Sequence, residues 1–241
     1  MDINALVREW FAPLRRTAWF PLVLRQDGPE WSSKFGGVPF IPEGESHPIC
    51  SNCTRPMELL LQLDVATLPD PARFGGDGLV QLFFCTHRAP KCEHCLCGHG
   101  NHGPRSLLAR RGGAGARRCA STAVTAGVVL PKHIVEWEAA DDYPHCEESK
   151  AREVAERMTD EQMDAWLAGD TDLWGEKLGG WPVWRQAAVR PPCPRCSQPM
   201  ESIFQIDSND LVEIAWDDAG VAHLFQCAQH PDELAFTWEG D

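Results

Sequence analysis

The eleven cysteines of this 241-residue chain carry the residues most able to do chemistry, and their spacing is that of metal ligands. Cys50 and Cys53 form a C-x2-C pair in "CSNCTRPMELLLQLD", and Cys193 and Cys196 form another in "CPRCSQPMESIFQID". In each case one more cysteine returns after two apolar runs: Cys85 ends "GLVQLFFC" and Cys227 ends "GVAHLFQC". A structural zinc ion takes four tetrahedral ligands, mostly thiolates with or without an imidazole. In the second copy "FQCAQHP" supplies the fourth, so Cys193, Cys196, Cys227 and His230 are expected to close one site. In the first copy "FFCTHRAPKCEHCLC" offers several donors. Cys92 is favoured beside Cys50, Cys53 and Cys85, because the loop that follows Cys85 can fold back to present it. His87 follows too closely, and His87 and Cys95 stand as alternatives. Two structural zinc ions are expected in all. Cys95, Cys97, His99, His102 and Cys119 are left over in a spacing that matches no zinc pattern, and a third site among them stays open.

Competing chemistries fit less well. A thioredoxin-like C-x-x-C occurs once, at a helix start, without a third cysteine at fixed distance. Buried thiols acting as small apolar groups would not recur in register. The chain has no H-E-x-x-H, no G-x-S-x-G and no phosphate-cradling glycine loop. Ions filled by thiolates keep no open position for water or substrate. Gln62 with Asp64, and Gln205 with Asp207, sit at matching strand ends, where a catalytic pair is conceivable and polar partners for loop backbone are the favoured reading.

Strands must carry these ligands. "MELLLQLD", "MESIFQID", "GLVQLFF" and "GVAHLFQ" are short β-compatible apolar runs bounded by glycine, proline or cysteine. Upstream, "KFGGVP" at 34–39 and "KLGGWP" at 177–182 each stand thirteen residues before the first cysteine, counted from the second glycine. Agreement in this order marks an internal duplication. The glycine pairs read as turns that lead the chain into each unit. The expected fold is α+β: internally duplicated, mainly antiparallel β units stapled by zinc knuckles, with N-terminal and central helices. Residues 1–135 would hold the first repeat and a Gly/Arg-rich insertion, and 136–241 the second repeat with an acidic helix, the two units packing side by side in one body. Around Thr159, "TDEQ" offers a helix N-cap inside the helical stretch 147–170.

Charge divides the chain unevenly. Residues 1–135 carry 15 Lys and Arg against 11 Asp and Glu; residues 136–241 carry 7 against 24. An acidic half speeds encounter with basic surfaces and repels nucleic acid. The five arginines of the glycine-rich stretch 98–127 lack the interleaved aromatic residues that single-strand stacking needs. No stretch has the form of a secretory signal or a membrane span, so a cytoplasmic protein is expected.

These motifs, with "SKFGGVPFIP", "KLGGWPVW" and "FQCAQHPDELAFTW", resemble the YwqG family of bacterial proteins of unknown function from about residue 17 onward. The knuckles are similar to those of its eukaryotic relatives, programmed cell death protein 2 and a yeast ribosome-assembly protein. The resemblance implies a cysteine a few residues after the strand-end cysteine of the first repeat, which is Cys92 here. It also implies a dedicated chaperone of a basic protein. The expected function is a non-enzymatic, zinc-stabilised protein-binding scaffold, a chaperone or immunity-type protein for a basic client. The alternatives are a metal-dependent enzyme that uses His87, His99, His102 and Cys119, or an RNA-processing factor that uses Arg110, Arg111, Arg117 and Arg118.

Overall fold

A computed structural model describes residues 2–51, 53–86, 107–112, 118–119, 127–169, 171–208 and 210–240, with 107–112 and 118–119 placed by their backbone. The chain opens with helix α1 (Ile3–Trp10), whose first amides are capped by the Asp2 carboxylate at 3.0 and 3.3 Å. Strands β1 (Arg16–Leu24), β2 (Lys34–Phe35), β3 (Ile41–Pro42), β4 (Glu58–Asp64), β5 (Leu79–Phe84), β6 (Leu107–Gly112), β7 (Arg118–Cys119) and β8 (Lys132–Asp142) follow. Then come helices α2 (Ser149–Ala155) and α3 (Asp160–Ala168), and strands β9 (Lys177–Gly179), β10 (Glu201–Asp207), β11 (Val221–Gln226) and β12 (Leu234–Glu239). Thr159 caps α3 in a reciprocal pair with Gln162, as "TDEQ" predicts, because each side chain satisfies an amide that the first turn leaves free.

The class is α+β with a mostly antiparallel sheet. Ten strands form one sheet in the order β12-β11-β10-β9-β1-β8-β2-β4-β5-β6, and β3 pairs with β7 apart from it. Its outermost strands, β12 and β6, come back into contact, so the sheet curls into a half-barrel. The concave side is filled by Phe35, Leu61, Leu82, Phe204, Ile206, Trp216 and Leu224, all essentially buried, with Trp19, Val23 and Trp137 packed against them. Helices α1, α2 and α3 share a separate cluster around Phe11 and Trp166.

The strand order reads the same from either end. β9-β10-β11-β12 flank β1 on one side as β2-β4-β5-β6 flank β8 on the other. The leading strand of each half therefore pairs with the other half: β1 with β9 through Ala18↔Gly179, and β8 with β2 through Lys34↔His133. The long β1–β8 ladder, from Arg16↔Asp142 to Leu24↔His133, joins the two flanks into one sheet. Pro21 is tolerated in β1 because β9 reaches only Ala18 and Trp19, leaving that edge of β1 unladdered beyond them.

Loops interlock the halves too. The turn before β5 sends the Phe74 carbonyl to Gln226 Nε2 at 3.4 Å. The loop before β11 places Glu213 against Lys132 Nζ at 2.6 Å and the Leu130 amide at 2.9 Å, with Trp216 edge-on to Phe84. No helix among the described residues is long and apolar enough to cross a membrane.

Candidate metal centres and their supporting cradles

Each C-x2-C pair forms a tight knuckle ahead of a sheet strand. The Cys50 amide donates to the Arg55 carbonyl and the Thr54 amide to the Cys50 carbonyl, both at 2.8 Å. In the second half Cys193 donates to Gln198 and Ser197 to Cys193, again at 2.8 Å. Thr54 and Ser197 both take left-handed backbone, at φ 59° and 58°, which turns the chain back after the second cysteine. Antiparallel pairing does the rest. Glu58↔Phe84 and Glu201↔Gln226 set the end of β5 beside the start of β4, and the end of β11 beside the start of β10. Cys85 and Cys227 thus arrive at their knuckles.

The donor atoms of Cys193, Cys196, Cys227 and His230 all lie within 4.8 Å of one another, as do those of Cys50, Cys53 and Cys85. Cys196 and Cys227 sulfurs are 3.6 Å apart, and His230 Nδ1 is 3.6 Å from both Cys193 and Cys227 sulfurs. Cys53 and Cys85 sulfurs are also 3.6 Å apart, far beyond the roughly 2.05 Å of a disulfide. None of the seven cysteines described with their side chains is in a disulfide. Both clusters can hold a metal ion. His87, Cys92, Cys95, Cys97, His99 and His102 lie outside the described residues, as does Arg117, and Cys119 is placed only by the backbone of β7.

Two further sets of buried polar groups hold each centre's sheet in place. Gln62 Oε1 accepts from the Phe40 amide at 3.0 Å, while its Nε2 donates to the carbonyls of Glu30 and Ser32 at 2.7 and 2.8 Å. Gln205 does the same for Val183, Leu173 and Gly175. The glutamines are therefore loop clamps, and Asp207 Oδ2 adds an acceptor for the Gly175 amide at 3.0 Å. Gln81 Nε2 reaches the Phe40 carbonyl at 2.8 Å, and in the other half His223 Nε2 reaches the Val183 carbonyl at 3.0 Å. Facing a carbonyl, Nε2 must carry the proton. Burial pushes the His223 pKa down to about 3, so the ring is neutral.

The glycine pairs explain themselves through carboxylates. Lys34 Nζ meets Asp27 Oδ1 at 3.0 Å and the Val38 amide meets Oδ2 at 2.8 Å. Lys177 Nζ and the Trp181 amide meet Asp142 Oδ2 at 2.9 and 2.7 Å. A Cβ on Gly37 would stand 2.4 Å from Asp27, and one on Gly180 2.2 Å from Asp142, with both glycines at positive φ. Only glycine lets the turn close over the carboxylate. Burial lowers the Lys177 pKa and Asp142 opposes that shift. Beside it, Glu176 is almost completely buried. Its Oε1 accepts from the Leu211 and Val212 amides at 3.0 and 3.3 Å. Burial first, then the neighbouring Asp210 carboxylate, push its pKa up to about 8.

Sequence reading gives Asp27, Gln81 and His223 no role and takes Asp142, with Asp141, for an acid cluster open to a basic partner, whereas Asp142 is buried under Lys177 and the Trp181 amide; Lys34/Lys177 and Trp31/Trp174 recur at the same spacing and mark the cradles. A family model, Domain of unknown function (DUF1963), matches residues 33–236. The chain belongs to the DUF1963 family. The matched span of this DUF1963 chain begins just before the first Lys-Phe-Gly-Gly turn and runs into β12, so it takes in both knuckles, both glycine turns and Asp142, while Asp27 lies ahead of it. No curated protein matches the DUF1963 chain.

Proposed function

We propose that this DUF1963 protein is a zinc-stabilised, non-enzymatic scaffold that binds a basic protein client, a chaperone or immunity-type role. The observation that carries the reading is the Cys193, Cys196, Cys227 and His230 quartet. Tetrahedral zinc with bonds of about 2.3 Å to sulfur and about 2.0 Å to imidazole has ligand–ligand edges of about 3.5 to 3.8 Å. The 3.6 Å separations of the quartet fit that figure. Three thiolates and an imidazole fill an ion's coordination, and such an ion supplies folding free energy rather than an activated water. Cys50, Cys53 and Cys85 fit a second zinc, with Cys92 as the proposed fourth ligand. Unpaired thiols persist best in a reducing compartment, so a cytoplasmic protein fits this reading.

The two halves are read as one duplicated unit. The palindromic strand order supports this, as do the matching glutamine clamps, the Lys–Asp cradles, and register shifts at Leu59/Leu61 and Ser202/Phe204. The remaining recognisable polar groups are occupied in holding loops, and the surplus of acid in the second half favours a basic partner. The resemblance to YwqG proteins, themselves DUF1963 members, fits the same picture.

The test is affinity purification of the tagged protein from its own cells at moderate salt, with mass spectrometry of what stays bound. One stoichiometric basic protein is expected. Recovery of no protein, together with a chelator-sensitive reaction in folded protein, would replace this reading with a metal-dependent enzyme.

A further inference from the structure

The core-facing side chains of β1 are Trp19 and Val23, with Trp137 opposite on β8. Strand alternation therefore turns Phe20, Leu22 and Leu24 to the convex side. Across the ladder their partners are Glu138, Glu136 and His133. The register slips between Leu22 and Val23, which makes Val135 an extra residue beside Glu136, and both are exposed. A bulge directs two neighbouring side chains to one side. Leu22, Leu24 and Val135 keep 41%, 48% and 50% of their surface accessible, which is high for apolar residues in the middle of a ten-stranded sheet. Among the described residues neither Glu136 nor Glu138 has an ion-pair partner.

We propose that this convex strip, at the seam where the halves exchange strands, is where the client docks. The inference rests on the binding-scaffold reading above. The occupant is an extended basic segment with Lys or Arg at i and i+2 and an apolar residue beside them. Glu136 and Glu138 stand two residues apart on one strand, hence about 6.8 Å, and basic residues at i and i+2 of an extended chain repeat at the same spacing. Their aliphatic stems lie over Phe20 and Leu22 while their charged heads reach the carboxylates. The apolar neighbour covers Val135. A second copy of this chain is a poor occupant, because a two-fold contact would set the glutamates against their own kind.

The experiment measures binding of a fluorescent peptide with lysines at alternate positions and leucine beside them, at moderate salt, to full-length protein. Three variants are compared after their metal content is matched to wild type: E136K/E138K, L22S/V135S, and the control E153K/E156K, on α2 and at its C-cap. Both charge reversals change the net charge equally, so the global field is held constant. The strip predicts a loss of about ten-fold or more for E136K/E138K, several-fold for L22S/V135S, and less than about two-fold for the control. Equal losses in the two charge reversals, or no loss in L22S/V135S, would overturn it as non-specific attraction. A client captured from cells that binds E136K/E138K as tightly as wild type would overturn this strip and leave the scaffold reading standing. Capture of no client would overturn the scaffold reading itself.

Discussion

Glu176→Gln should change how stability depends on pH, and the sign is opposite to the usual carboxylate. With a folded pKa of about 8 against an ordinary 4.5, the folded state holds its proton where the unfolded state has lost it. Stability from this group is therefore complete below about pH 4.5, falls as pH rises through that window, and levels off above about 8. The slope is about 1.4 kcal/mol per pH unit, so the full window amounts to about 5 kcal/mol and the interval from pH 5.5 to 7.5 to about 3 kcal/mol. Glutamine imitates the protonated acid. Its carbonyl still accepts from Leu211 and Val212, and its amide can donate towards Asp210. Urea unfolding of both proteins across this range gives the difference in stability, in which metal-ligand and other shared titrations cancel. The variant should gain on the wild type by about 3 kcal/mol between pH 5.5 and 7.5. A difference that stays flat, or one that shrinks as pH rises, would refute the buried-acid account.

Other consequences are open to direct measurement. Native mass spectrometry of reduced protein should find two zinc ions per chain, and Cys193→Ser should lose one and unfold several kcal/mol more easily, about the scale of a structural metal's contribution; metal-free folded protein would end that reading. Gln205→Leu strips the Val183 amide and the Leu173 and Gly175 carbonyls of their partner, and chemical denaturation should register a cost of about 2 to 4 kcal/mol. His223→Gln should cost less than about 1 kcal/mol, because Gln81 does the same work in the other half, whereas His223→Leu should cost more by leaving the Val183 carbonyl unpaired. Gly180→Ala should destabilise by at least about 2 kcal/mol in thermal melts through its positive φ and its contact with Asp142.

Local features of this fold were legible from sequence. The knuckles, β4, β5, β10 and β11 follow from short apolar runs next to paired cysteines, and the Thr159 cap follows from a four-residue pattern. Long-range features left little trace. Asp142 lies 38 residues before Gly180 while Asp27 lies 10 before Gly37, so the two carboxylates do not align when the two Lys-x-Gly-Gly stretches are overlaid. Asp142 stands at the end of β8, the strand that crosses between the halves, and only the sheet order brings it under its glycine turn. His223 and Gln81 share a role but not a chemical type, so matching by residue identity passes over them. The convex strip is hidden for a related reason: "FPLVL" and "HIVEWE" look like ordinary core strands until the register shows which side chains face outward.

The exchange of β1 and β8 also sets a schedule for synthesis. Arg16 pairs with Asp142, 126 residues later, and Trp19 pairs with Leu178 later still. At translation rates of roughly 5 to 20 residues per second, β1 spends roughly 6 to 25 s outside the ribosome before β8 is made. During that interval Trp19, Phe20 and Leu22 have no strand to pair with, and the first knuckle can form while the sheet it anchors still lacks its centre. Closure waits for the second half of the message, so a ribosome that stalls before β8 releases a chain with an unmatched apolar strand, a natural substrate for degradation.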